Sequence, residues 1–291
     1  MRVELSEVGR LARVLVKHAR DAFVSQDVID RQWKMLNFSA PPDYARALDE
    51  YDAFLDIIRK SGAEVACLPR DERVTLDSIY TRDASVLSSK GAVRARMGKP
   101  ERASEPAVQG HELQCLDAEV VGGIKPPGHL EGGDVVWFDA RTVVVGWGYR
   151  TDAGGIQQFR ELLGKSIDEF FVVTLPHWQG PGDCMHLMSL VSPVDRNLAV
   201  VYSRLLPVPF RAHLLRHGFS LVEVPDEEFE TMGTNVLALA PRVCVMLKGN
   251  PRTRAALEKA GATVYEYEGR EISLKGGGGP TCLTRPLTRT T

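Results

Sequence analysis

One cysteine, Cys282, closes the glycine-rich lead of the stretch GGGGPTCLTRPL, residues 276–287. As a thiolate it is a nucleophile, and a nearby imidazole or cation makes the thiolate easier to form. His186, in DCMHLM, is a residue type suited to moving protons near neutral pH. Glu131 and Asp134, in HLEGGD, and Asp83, in YTRD, add carboxylates. Carboxylates are poor company for a thiolate unless a cation lies between them. A guanidinium is such a cation: planar, permanently charged, and forked so that carboxylates grip it in pairs. Cysteine, histidine and two carboxylates therefore suit displacement at a guanidine, provided the chain brings them together. Taken singly, Cys282 reads as a buried thiol and His186 as a satisfied core histidine.

The sequence has an internal beat that would bring them together. Asp83, Asp134, His186, Asn235 and Cys282 recur at steps of 51, 52, 49 and 47 residues. Each follows a polar or glycine-containing lead and precedes an apolar, strand-like run: SIYTRDASVL, HLEGGDVVWF, DCMHLMSLVS, TMGTNVLALA and GGPTCLTRPL. Between them, DYARALDEYDAFLDIIRKSG, AGGIQQFRELLG, VPFRAHLLRHG and PRTRAALEKAG read as amphipathic helices, each leading into a strand. Gly62, Gly218 and Gly261 suit left-handed caps, Gly164 plays a similar part, and Pro207 or Pro209 and Pro251 suit first turns. The early GRLARVLVKHARDAF is ambiguous by period, but its branched aliphatics permit a strand that closes the repeat with the C-terminal segment. Residues 88–120, rich in Gly, Pro, Arg and Glu, fit poorly and predict a long loop before a short helix at about 105–115. Five units of roughly 50 to 58 residues, none able to bury its own apolar face, stack around an axis and deliver their anchors to it.

Bulk composition excludes several classes. The sequence is 44% hydrophobic and 25% charged with a net charge of -2, so it can build a sizeable core but has no basic stripe for nucleic acid. No apolar run approaches the roughly 18 to 20 residues of a membrane span, and the first residues lack a signal-peptide pattern. Five cysteines, an odd number without a CxxC pair, argue for reduced thiols and a cytoplasmic location. No Lys-Ser/Thr follows the glycine run and no HExxH occurs, which sets aside a phosphate loop and that class of zinc hydrolase. The expectation is one catalytic domain over 1–291, with no metal and no cofactor because thiol, imidazole and water suffice. A homo-oligomer is left open.

Six segments in order, SEVGRLARVLV, LDSIYTRDASVL, HLEGGDVVWF, GWGYRTDAGGIQQF, GDCMHLMSLV and GGGGPTCLTRPL, resemble the guanidino-group modifying superfamily called penteins. That superfamily includes arginine deiminases, dimethylarginine dimethylaminohydrolases and amidinotransferases. The resemblance spans nearly the whole chain and implies an α/β fold, a five-bladed propeller of pseudo-fivefold ββαβ repeats with its site on the axis. It implies a small guanidino substrate and Cys282 as the nucleophile of a covalent thiouronium intermediate. His186 would protonate the departing amine and then activate water, and Glu131 and Asp83 would hold the guanidinium nitrogens. Asp77 would meet the substrate α-amino group, and Arg96 and Arg150 would clamp its α-carboxylate. Arginine deiminases carry a carboxylate where this chain has Met188, which favours N-omega-methylated arginine, giving L-citrulline and methylamine or dimethylamine. Arg82, in YTRD, is closer to the deiminases and keeps L-arginine as the alternative substrate. Amidino transfer is a further reading within this chemistry, and a non-catalytic, ribosome-binding propeller is one outside it.

Overall fold

The computed structural model describes residues 3–182 and 185–291; Cys184, counted above among the reduced thiols, lies outside them. Five small sheets carry the strands. In the second, Ser85–Ser88 pairs antiparallel with Gly91–Arg94, the helix Glu105–Cys115 crosses over, and Val120–Gly123 returns parallel to Gly91–Arg94. The third repeats the pattern with Val135–Trp137, Thr142–Trp147, the helix Ala153–Leu163 and Glu169–Thr174. In the fourth the parts are Val191–Asp195, Leu198–Val201, the helix Val208–Arg216 and Ser220–Glu223. The fifth uses Val236–Ala240, Val243–Leu247, the helix Pro251–Lys259 and Thr263–Tyr267. This is the ββαβ unit that the sequence beat predicts.

The first sheet is assembled from both ends of the chain. Arg10–Val16 pairs parallel with Glu64–Cys67 across the helix Tyr44–Lys60. Its antiparallel partner is Arg285–Thr290, with Arg285 opposite Leu15 and Thr290 opposite Arg10, and Val3–Glu4 adds on the outer side. The strand ends with the aliphatic run, at Val16, and the ambiguous segment then turns helical, with His18 capping a short helix at Ala19–Phe23 by accepting the Arg20 N–H.

Burial explains why the units need one another. Val143, Val144 and Val145 are all fully buried, so one strand contributes side chains to both faces of its sheet. Apolar clusters then bridge sheets: Leu11, Val14 and Phe54 pack with Leu237, Val245 and Tyr267, and Val194 and Val200 pack with Val236 and Met246. Each such side chain contributes about 1.5–3 kcal/mol by leaving water, and a unit on its own would forfeit it. Among the described residues, no helix is long and apolar enough to cross a membrane.

Residues 88–120 differ from the sequence expectation. The helix is there, at Glu105–Cys115, but the supposed loop contains Gly91–Arg94, the middle strand of the second sheet. Four residues that begin at a glycine and end at an exposed arginine are too few to show a period of two.

Arg285–Thr290 is bonded on both sides, so its loss would expose two ladders and open the ring. Deleting residues 285–291 should abolish the cooperative thermal transition in circular dichroism. A sigmoidal melt close to that of the full chain would show that closure does not hold the fold.

Candidate active site

A cavity of about 520 Å³ is lined by four of the anchor-type residues, Asp83, His186, Asn235 and Cys282, and by Asp77, Lys99, Arg102 and Arg150. The loops that precede each sheet supply the anchors, which is how residues tens of positions apart come to share one wall.

Cys282 sits in the turn that leads into Arg285–Thr290, and its side chain is partly exposed. Asn235 shapes that turn. Its Oδ1 accepts from the Thr281 N–H at 3.0 Å and from Thr281 Oγ1 at 2.9 Å. A backbone N–H can only donate, so the amide oxygen must face Thr281, which leaves Nδ2 to donate to Cys282 Sγ at 3.4 Å. The glycine run has a steric reason: a Cβ on Gly278 would lie 2.4 Å from the Tyr80 ring, and one on Gly279 would lie 2.5 Å from Asn235. Bare backbone is what lets the thiol loop lie against the residues that position it.

His186 lies between two buried carboxylates. Its Nε2 is 2.8 Å from Glu131 Oε2, and its Nδ1 is 3.8 Å from Asp83 Oδ1. The backbone at Gly133 passes so close beneath the ring that a Cβ there would meet Nδ1 at 2.5 Å. Glu131 is fully buried, and its Oε1 accepts from the Gly98 N–H at 2.8 Å with Arg150 at 3.7 Å. Burial alone would raise the Glu131 carboxyl. The hydrogen bond and charge of His186, helped by Arg150 and Arg102, outweigh burial and hold it well below the usual carboxylate range. Asp134 accepts the Leu187 N–H at 2.9 Å and so fixes the residue after the histidine. Its carboxyl is pushed up to about 6 by burial, against the pull of His186.

The remaining expected residues fall into two groups. Asp83, Asp77 and Arg150 reach the cavity, and the two acids arrive with partners: Asp83 Oδ2 takes Arg102 Nη1 at 2.7 Å and Asp77 Oδ2 takes Lys99 Nζ at 2.6 Å. Arg102 is also gripped by Glu105 through two bonds, at 2.9 and 2.8 Å. Arg96 is not brought to the cavity. Its guanidinium turns to the carbonyls of Pro127 and Gly128 and to His129, so the arginine that this segment contributes to the wall is Arg102. Met188 and Arg82 do not reach it either: Met188 packs in the apolar core, and Arg82 is buried in an ion pair with Glu7. Neither contributes to the choice of guanidine by direct contact. Lys99 and Arg102 carry no role in the sequence pattern, and Asn235 enters there only as an anchor of the repeat. The only trace of the first two is the three-residue spacing of Lys99, Arg102 and Glu105, one face of a helical turn inside a segment that looks like a solvated loop.

Asp83, Glu131 and His186 place donor atoms within 4.8 Å of one another, and Glu169, His213 and His217 form a second such group, so either could hold a divalent cation. In the first group Arg102 and Arg150 already bring positive charge to the two acids.

The family model described as N,N dimethylarginine dimethylhydrolase, eukaryotic, matches residues 21–289. The N(G),N(G)-dimethylarginine dimethylaminohydrolase of Pseudomonas aeruginosa is 28% identical over 244 residues, covering 84% of this chain and 89% of that protein. The solved structure of a cysteine-to-serine mutant of DDAH from Pseudomonas aeruginosa, complexed with citrulline, has a TM-score of 0.77 at 23% identity, over 94% of this chain and 98% of that one. The product-bound N-terminal domain of ArgZ, an arginine dihydrolase from cyanobacteria, has a TM-score of 0.79 at 18% identity, over 95% and 97%. Five ββαβ sheets and these likenesses define a pentein. Within that class the chain belongs to the N,N dimethylarginine dimethylhydrolase family, and so among the guanidino-group hydrolases.

Two measurements probe the geometry. Asn235→Asp keeps an acceptor for Thr281 but replaces the N–H donor at sulfur with an anionic oxygen. Alkylation of Cys282 by iodoacetamide at neutral pH should then slow by about tenfold or more, with the melting temperature as control. An unchanged rate would show that the amide does not act on the thiol. Asp134, with 3.8 as its ordinary value and about 6 when folded, binds an extra proton in the folded state between those pH values. Its contribution to stability therefore falls as pH rises through that window, by about 3 kcal/mol in all. Asp134→Asn should gain about that much over wild type between about pH 4 and pH 7 in denaturant unfolding. A gap that stays flat with pH, or runs the other way, would contradict the burial argument.

Proposed function

We propose that the chain is a cysteine-dependent hydrolase of the guanidine group of an arginine derivative. The observation that carries this reading is that Cys282, His186 and Asp83 line one cavity, with Glu131 behind the histidine at 2.8 Å. Asp83 meets the substrate guanidinium, and Glu131 orients the imidazole while its charge favours a cation nearby. The Cys282 thiolate attacks the central guanidine carbon, forming a C–S bond and a tetrahedral adduct. That adduct collapses as the C–N bond to the terminal, methyl-bearing nitrogen breaks, and His186 supplies the proton with which the amine departs. Water, deprotonated by His186, then adds to the thiouronium carbon. Expulsion of the thiolate leaves a ureido product.

N-omega-methylated arginine, giving L-citrulline and methylamine or dimethylamine, is the substrate this reading favours at the guanidine end. The matching family model and the Pseudomonas aeruginosa relative support it by their names. Incubation with methylated arginines and with L-arginine, assaying citrulline and the released amine, separates this reading from deimination of arginine. Citrulline from none of them would retire it. Cys282→Ser should lose at least about a thousandfold in kcat with the fold unchanged by circular dichroism. A chloroacetamidine probe should label Cys282 before Cys244, whose thiol burial pushes up to about 12.

A further inference from the structure

Lys99 is a cation built into the cavity wall, and its ammonium already has the partners that an ammonium wants. Its Nζ donates to Asp77 Oδ2 at 2.6 Å and to the Leu36 carbonyl oxygen at 2.7 Å. All three residues line the cavity. The Lys99 and Asp77 side chains are only 12% and 5% exposed. The backbone is pinned as well, since the N–H groups of Gly98 and Lys99 both donate to Glu131 Oε1, at 2.8 and 3.4 Å. The group that orients the imidazole therefore also sets where this lysine starts. A surface lysine that merely brushes an acid has none of these constraints.

Two consequences follow for whatever lies in the cavity. Asp77 is matched by Lys99, so this acid does not wait for a second substrate cation. A substrate ammonium that approaches Asp77 must either displace Lys99 or share the carboxylate with it, and in both cases it meets the buried Lys99 charge. In the other direction, an ammonium carries three donors, and Lys99 commits two to protein acceptors among the described residues. The third is suited to a carboxylate, the charge that Arg150 on the same wall also favours.

We infer that Lys99 occupies the place of a substrate ammonium, and so selects guanidino acids that present a carboxylate but no free α-ammonium. This rests on the cysteine-hydrolase reading above and refines the opposite end of its substrate. Lys99 is then a specificity-determining residue that contacts the head group and leaves the reacting carbon alone.

The test compares N-omega-methyl-L-arginine with its deamino counterpart, 5-(N′-methylguanidino)pentanoate, by methylamine release. The two share the guanidine and the carboxylate and differ only in the α-ammonium. Wild type should favour the deamino compound by about tenfold or more in kcat/KM, because an internal competitor for Asp77 acts through KM. Lys99→Met should lower KM for methylarginine by about tenfold and raise it for the deamino compound. That variant leaves a buried carboxylate unpaired, which can cost folding. The double variant Lys99→Met with Asp77→Asn removes both charges and should bring the two compounds within about twofold. A wild-type preference for methylarginine, or a deamino preference that the double variant keeps, overturns the inference and leaves cysteine hydrolysis standing. Methylamine from neither compound overturns both.

Discussion

A carboxylate sealed from water must be met by donors on several sides, and Glu131 is such a carboxylate. Its partners come from different parts of the ring: the histidine before the fourth sheet, the Gly98 N–H after the strand Gly91–Arg94 of the second, and Arg150 just beyond the strand Thr142–Trp147 of the third. Removing any one side leaves a buried charge short of compensation, which is far more costly than an exposed one. The same charge keeps the imidazole at a fixed angle. Assembling the ring and assembling the site are thus one event, with Glu131 as the point where they meet.

Beneath the cavity the chain buries more charge than its apolar clusters would suggest. Arg82 pairs with Glu7, and Arg285 donates to the Arg82 carbonyl. Burial, reinforced by the Arg82 charge, pushes the Arg285 guanidinium down to about 9, so it still carries its proton at neutral pH. Arg82 also donates to the Thr281 carbonyl at 3.2 Å, which ties this layer to the thiol turn. Among the described residues Arg82 Nη2 and Arg285 Nε have no hydrogen-bond partner, so the network is only partly satisfied. The bonds it does make tie a turn rich in glycines to the layer beneath it.

The architecture was legible because it is written in periods. Anchors at near-equal steps, helices with apolar stripes and capping glycines at Gly62, Gly218 and Gly261 are local features, and the backbone keeps them, with φ of 89°, 77° and 85° at those glycines. Cys282, His186 and Asp83 were found as residue types ahead of strands, where a strand end fixes direction, while Asp77 and Arg150 came from the family resemblance. Arg96 and Lys99 show the limit. They sit three residues apart in one irregular stretch, and only tertiary contacts decide that the first faces the Pro127 carbonyl and the second faces Asp77. Met188 and Arg82 drew attention for their neighbours in sequence, yet the strand and turn geometry directs both into the interior.

The strand Arg285–Thr290 joins the two ends of a chain that is made in one direction. Four of the five sheets are complete before the ribosome reaches the nucleophile, and the first has its antiparallel partner only afterwards. Contacts of such long sequence separation form slowly, and early segments fold while later ones are still being added. Vectorial synthesis thus leaves a nascent chain with histidine and acids in hand but without the Cys282 thiol, and with the circle open, until Arg285–Thr290 has been made.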